Sequence, residues 1–426
     1  MISIRVARFL SGRLHYAWVV LGIMFLATLC TMGVRATPGV IIVPLQKTFG
    51  WSVSTISGAV SLNLILIGVL SPFMAGMIQA IGLKRTVVSC LSVVVTGTAL
   101  SVFITESWQL YVTWGLMVGI GASAGSIGLA TAVSNRWFEK NRAFAVGIMS
   151  SANAAGQLVF LPFLAYMSEK YGWQSVAMTV STCMAIMVML LILLLPESPA
   201  RIGLGRYGGS YEEPPKPTGK NPITVTMHGL GRGVRSLDFW LLAGSFAACG
   251  FSTNGLVGTH LISYCADNGI GQLAAASMLA SLGVFSLIGS TGSGWLTDRY
   301  NPRVILFFVY GLRGLSLVVL PFVEFTPLTL TIFSAFYGLD WIATGPPTFA
   351  LTNQVFGERD APVIISWIYT GHQIGGASAA IMAGTVRDVT GSYMVAFVAS
   401  GLACMMASLL VLRIRHHRPT LAAAAA

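Results

Sequence analysis

The stretch PESPARIGLGRYGGSYEEPPKPTGKNPITVTMHGLGRGVRS, residues 196–236, is the one long polar interval in an otherwise apolar chain. Its glycines, prolines and charges cannot cross a bilayer, and its composition predicts a flexible linker. On each side lie six apolar runs of about 20 residues, the length a helix needs to cross a membrane. The predicted spans are 16–45, 54–79, 86–104, 109–135, 142–166 and 174–195 before the linker. After it they are 238–264, 272–296, 303–322, 328–352, 363–385 and 392–413. The expected organisation is an N-terminal six-helix bundle at 1–195, a cytoplasmic linker at 196–236, a C-terminal bundle at 237–415 and a cytoplasmic tail at 416–426.

Composition points the same way. The 426 residues are 55% hydrophobic and 9% charged, with a mean hydropathy of +0.76. Soluble domains carry about 25% charged residues. The class is therefore an all-α integral membrane protein. The net charge of +11 does not point to nucleic acid, because the basic residues fall in short loops between apolar runs. Counting Lys and Arg by loop puts 20 of 25 on the side that bears both termini. Lys47, Lys170 and Arg387 fall on the other side, and Arg35 and Arg313 lie within spans. By the positive-inside rule both termini are expected in the cytoplasm, which for a bacterial-type cell means an inner-membrane protein. Arg5, Arg8 and Arg13 precede a first apolar run too long for a cleaved signal, so it is read as a retained span. The six cysteines share no CxxC spacing and read as small apolar packing residues. No metal or cofactor is expected.

The halves repeat weakly at an offset of about 220 residues. Trp18–Gly22 aligns with Trp240–Gly244, Gln79–Lys84 with Asp298–Arg303, and Gly147–Gly156 with Trp367–Gly376. Three matches in order predict two pseudo-symmetric bundles, with a binding site between them near mid-membrane.

The turn GWLTDRYNPR, Gly294–Arg303, resembles the signature between helices 8 and 9 of the major facilitator superfamily. Its first-half counterpart carries Gln79 and Ala80 in place of Asp-Arg. RWFEKNRAFAVGIMSSANAAG, Arg136–Gly156, is similar to the pattern entering helix 5 in the branch of monocarboxylate transporters and oxalate/formate antiporters. The resemblance covers nearly the whole chain. It implies a twelve-helix secondary active transporter whose cavity is lined by helices 1, 4, 7 and 10. It also implies a small organic anion as cargo, carried with a proton or by exchange. Arg35 falls where monocarboxylate members carry a lysine. The branch also carries Asp and Arg within helix 8, and Ser286 and Ser290 stand there instead, which speaks against a simple lactate-like proton symporter. By the same resemblance Asp298, Arg299 and Arg142 form a cytoplasmic gate.

No Walker sequence or other soluble-enzyme constellation is present, so the chain is not read as an enzyme. The glycine-rich run GIGASAGSIG, 119–128, follows no strand and reads as close helix packing, as do Gly371, Gly375, Gly376, Ala379 and Ala380. Ionisable groups within spans are costly and face a cavity or a partner. Arg35 suits a carboxylate, which a guanidinium grips through two nitrogens. Arg313 and Asp340 fall at similar depth on the expected hairpin of helices 9 and 10, as a structural pair or as a coupling site. His260 could titrate near neutral pH and joins them as a coupling candidate. Asn254, His372, Gln373, Asn153 and Gln157 supply hydrogen bonding at mid-membrane depth. Pro346–Pro347 is expected to bend helix 10.

The sequence thus predicts a transporter of a small organic anion, embedded in lipid, acting as a monomer, with no nucleic-acid partner. A carrier or exporter of a neutral or bulkier metabolite, such as a vitamin or drug, is the alternative. A membrane sensor that has lost transport is a rival from another class.

Overall fold

The computed structural model describes residues 2–10, 14–125, 128–209 and 221–415. Among the described residues twelve rods follow one another. In the first half these are α1 (Tyr16–Phe49), α2 (Val53–Ile81), α3 (Leu83–Leu100), α4 (107–125 and 128–137), α5 (Arg142–Tyr171) and α6 (Trp173–Leu194). In the second half they are α7 (237–267), α8 (Gln272–Thr297), α9 (Pro302–Val319), α10 (327–356), α11 (358–390) and α12 (Met394–Val411). Among the described residues, nine helices are long and apolar enough to cross a membrane. The other three are α4, α10 and α11. Residues 126 and 127 of α4 lie outside the described residues, α10 is a broken rod, and α11 carries His372, Gln373 and a run of small residues.

Turn chemistry sets the rods. Gly50 closes α1 with φ 68, and Ser52 caps α2 by accepting from Thr55 N–H. Asn301 caps α9 by accepting from Arg303 N–H at 3.1 Å. Such caps satisfy amide groups that helix ends leave unpaired. We call the face bearing the start of α1 and the end of α12 proximal, and the opposite face distal.

Two six-helix bodies result. Across their interface α2 runs along α11, and α5 along α8. Within the second body α7 and α11 approach to backbone contact. A Cβ on Gly250 would lie 1.8 Å from His372 O, and one on Gly375 2.0 Å from Ala247 O. This is the packing role expected of the small residues in α11.

The structure departs from the sequence reading in three places. A short helix, Ile2–Leu10, precedes α1, and its Val6 and Ala7 pack on the core. The interval 196–236 is more ordered than its composition implies: Pro199–Ile202 forms a 3-10 turn, Tyr207 bridges to Phe138, and Pro222–Gly233 is a helix. Asn221 caps that helix, Pro222 fits its first turn, and Thr226 O accepts from Trp367 Nε1. Residues 210–220 and the tail 416–426 lie outside the described residues. Lastly, Pro346–Pro347 do not bend a continuous helix. The rod stops at Trp341 and restarts at Gly345, so both prolines sit in a first turn, where a missing N–H costs nothing.

Candidate functional site

Four of the helices that line the centre, α1, α4, α7 and α10, carry prolines or depart from regular α-geometry. Pro38 and Pro44 interrupt α1. Residues Tyr111–Met117 of α4 and Phe251–Val257 of α7 are π-helical, and α10 breaks between Trp341 and Gly345. Such departures re-aim side chains and free backbone groups, and are tolerated at membrane depth where they line a cavity.

A cavity lies between the bodies, with about 900 Å³ of empty space counting its opening to solvent. Its wall is mostly apolar, with Trp114 and Trp341 on opposite bodies. Its polar groups include Arg35, Asn63, Gln157, Asn254 and Thr259. Asn63 donates to Trp114 O at 2.8 Å, in the π-helical turn of α4. Asn254 lies in the π-helical turn of α7.

Arg35 is half-buried at the wall and donates from Nη2 to Tyr369 Oη at 3.2 Å, across the two bodies. Among the described residues no carboxylate pairs with it. Tyr369 stacks on His372, with centroids 5.6 Å apart and planes at 14°, and His372 packs on Phe246. His372 Nδ1 lies 3.1 Å from Gln373 Oε1, which accepts from Asn254 Nδ2 at 3.2 Å. A polar chain thus runs from Arg35 behind the wall to Asn254.

Of the six residues singled out for binding, Arg35, Asn254 and Gln157 reach this cavity. Asn153 lines a smaller void on the proximal side of Arg35. His372 and Gln373 are buried behind the wall and position Asn254 rather than line the space. Sequence reasoning missed Asn63, Tyr369 and the two tryptophans. Asn63 was legible as a lone amide in an apolar span; the aromatic residues carried no signal.

Arg313 and Asp340 form a buried ion pair. Arg313 Nη2 also donates to the backbone oxygens of Asp340 at 2.5 Å and Trp341 at 3.4 Å, and Nη1 to Cys249 Sγ at 2.8 Å. Those carbonyls belong to the end of the first α10 segment, where a cation adds to the backbone bond that Ala343 N–H gives Asp340 O and supplies a donor to Trp341 O. Asp340 Oδ1 is buried and has no hydrogen-bond partner among the described residues. His260, also fully buried, lies elsewhere. Its Nε2 is 2.9 Å from Ala380 O and its Nδ1 3.3 Å from Tyr393 Oη, in the distal packing of α7 on α11.

Two of the residues expected to gate the proximal face, Asp298 and Arg299, form no ion pair with each other. Arg299 packs over its neighbour Trp295, 4.1 Å from the ring centroid, and among the described residues neither it nor Asp298 forms an ion pair. The side chain of Arg142 lies outside the described residues. In the first body Glu197 binds instead: its carboxylate accepts from Leu83 N–H and Lys84 N–H, capping α3, and pairs with Arg136 at 2.8 Å.

At the distal face the bodies are joined. A Cβ on Gly39 would lie 2.8 Å from Gly258 O, so α1 and α7 touch backbone to backbone there. Gln272 Nε2 donates to Val40 O across the same seam.

A family model for the Major Facilitator Superfamily matches residues 24–380. The chain is 25% identical over 417 residues to monocarboxylate transporter 12-B of Danio rerio, covering 93% of this chain and 86% of that protein. It is 23% identical over 403 residues to monocarboxylate transporter 13 of Rattus norvegicus, covering 94% and 89%. It is 24% identical over 386 residues to the uncharacterized MFS-type transporter YcxA of Bacillus subtilis (strain 168), covering 88% and 90%. The fold is similar to that of a bacterial homologue of the human lysosomal transporter Spinster in an inward-facing, occupied conformation, with a TM-score of 0.72 at 16% identity. That superposition covers 96% of this chain and 100% of the other.

Proposed function

The chain belongs to the Major Facilitator Superfamily, a family of transporters rather than enzymes, and from that premise we propose that it carries a small monocarboxylate by alternating access. The observation that carries the substrate class is Arg35. It is a guanidinium at the wall of a central cavity, held by one tyrosine hydroxyl and lacking a carboxylate of its own. An organic anion completes it with two charge-assisted bonds. The amides of Asn63, Gln157 and Asn254 take the remaining polar groups of the cargo, and the tryptophans cover its apolar part. Relatives named as monocarboxylate transporters support the same class.

Distal ends joined by the α1–α7 backbone contact and by Gln272 on Val40 O support an inward-facing state, with the proximal face cytoplasmic. Segments 1–195 and 237–415 are the two moving bodies. Asp298, Arg299 and Arg142 engage in the opposite state. The carrier sits in the cell's inner membrane as a monomer. Arg313 and Asp340 act first as a structural clamp on the α10 break. A second reading, with Asp340 exchanging a proton in each cycle, is favoured by its buried, unpartnered Oδ1.

Uptake of a labelled monocarboxylate panel into proteoliposomes tests the cargo. Flux of at least one member is expected, with and without an imposed pH gradient as the check on coupling. Full flux with Arg35→Gln, or flux of neutral metabolites alone, sinks the anion reading.

A further inference from the structure

Two carboxylates at the distal face fall outside the cavity and outside every role assigned above. Asp388 lies near the end of α11 and reaches across the seam to the start of α2. Val53 N–H donates to its Oδ1 at 3.0 Å and Ser54 N–H to its Oδ2 at 2.7 Å. Glu169 lies near the end of α5 and reaches the start of α8 in the other body, where Leu273 N–H donates to its Oε1 at 2.9 Å. The first amides of a helix have no partner within it, and that end attracts negative charge. Each carboxylate therefore completes a helix that belongs to the other body. At α8 the need is plain, because its own cap residue is Gly271, which has no side chain.

The two contacts are copies of one another. Asp388 follows Glu169 by 219 positions (388 less 169) and Leu273 follows Val53 by 220 (273 less 53), which is the offset of the internal repeat. One device thus occurs twice, once in each of the two long seams between the bodies. Both copies span the interface, so any rocking that opens the distal end must break both together.

We propose that Glu169 and Asp388 are a repeat-related pair of interbody helix caps that latch the distal gate shut and set the balance between the two states of the carrier. Each carboxylate is exposed, so the bonds are exchanged with water when the gate opens and reform without rearrangement of a buried core. The inference rests on alternating access but not on the cargo.

The test uses a single reporter, Val60→Cys, on α2 at the cavity wall. The full-length protein is reconstituted in vesicles of either orientation, and a membrane-impermeant thiol reagent is added from one side at a time. The parent without the reporter gives the background from the six native cysteines. Removing a cap is expected to raise distal labelling about 2- to 30-fold for Asp388→Ala or Glu169→Ala. The double variant should rise by about the product, because both caps bear on one equilibrium. Proximal labelling should not rise. Unchanged distal labelling in the double variant overturns the latch. Labelling that rises equally from both sides also overturns it, because the substitutions would then have loosened the fold. Absence of monocarboxylate flux, with the labelling pattern as expected, removes the cargo reading and leaves the latch standing.

Discussion

Removing Arg313 should be severe, and removing Arg313 and Asp340 together should be milder than the two single losses combined. Arg313→Met takes away the ion pair, two bonds to the α10 carbonyls and the bond to Cys249, and strands Asp340 in the interior. Breaking a buried pair by removing one partner costs about 3–5 kcal/mol. Asp340→Leu strands the guanidinium instead and falls in the same range. The double variant strands neither charge, yet still leaves the carbonyl of Trp341 without its donor, at about 1–3 kcal/mol. At about 2–4 °C per kcal/mol for a body of some 200 residues, the singles should lose about 6–20 °C and the double about 2–12 °C. Thermal unfolding of purified protein in detergent gives all three values. A double variant that loses the sum of the singles would mean the two groups do not act as a pair. An Asp340→Leu protein as stable as the parent would refute the clamp outright.

Loss of Arg35 should weaken binding of a monocarboxylate about 10- to 150-fold in Arg35→Gln, the worth of a hydrogen bond to a charged group, read by ligand-dependent thermal shift. Gly39→Ala should favour the distal-open state, because its Cβ would meet Gly258 O at 2.8 Å; distal labelling of Val60→Cys should rise, and unchanged labelling would count against the α1–α7 seam as part of the gate. His15 caps α1 by accepting from Ala17 N–H at 3.3 Å. Burial pushes its imidazole below the ordinary 6.5, against the opposing pull of the Gly205 backbone carbonyl, which favours the protonated ring. A lowered value means stability present above 6.5 and lost as pH falls below it. The melting temperature should therefore drop on acidification through that range, and His15→Asn should flatten the drop while keeping a cap.

Much of the fold was legible because its signals are local. Runs of apolar residues, the basic loops and the linker required no knowledge of what touches what. The pairing of Arg313 with Asp340 was legible for a similar reason, since a short connection fixes two depths along a hairpin. What escaped depends on registration between segments far apart in the chain. Glu197 reads as a loop charge until α3 is seen to begin beside it, 114 positions earlier. Asp388 reads as a charge past the end of a span until α2 is found under it, 335 positions earlier. His372 and Gln373 lie behind the wall rather than on it, because position along a helix advances steadily with sequence while rotation about α11 is settled by its contact with α7.

The same contact explains how the cavity can be both polar and stable. Asn254 faces the space from a π-helical turn, a conformation that leaves α7 with a displaced hydrogen-bond ladder. Gly255 in that turn presses against α11, where a Cβ would lie 2.2 Å from Gly376 O. Gln373, three residues earlier on α11, then fixes the Asn254 amide. Small residues let the backbones close, and closure brings the amides into reach. Bulk added at Gly255 or Gly376 would therefore act on the cavity by separating Asn254 from Gln373, though neither glycine belongs to the polar chain itself. The packing residues of α7 and α11 are in this sense the support of the polar site, and the irregular helix is held by the neighbour it touches most closely.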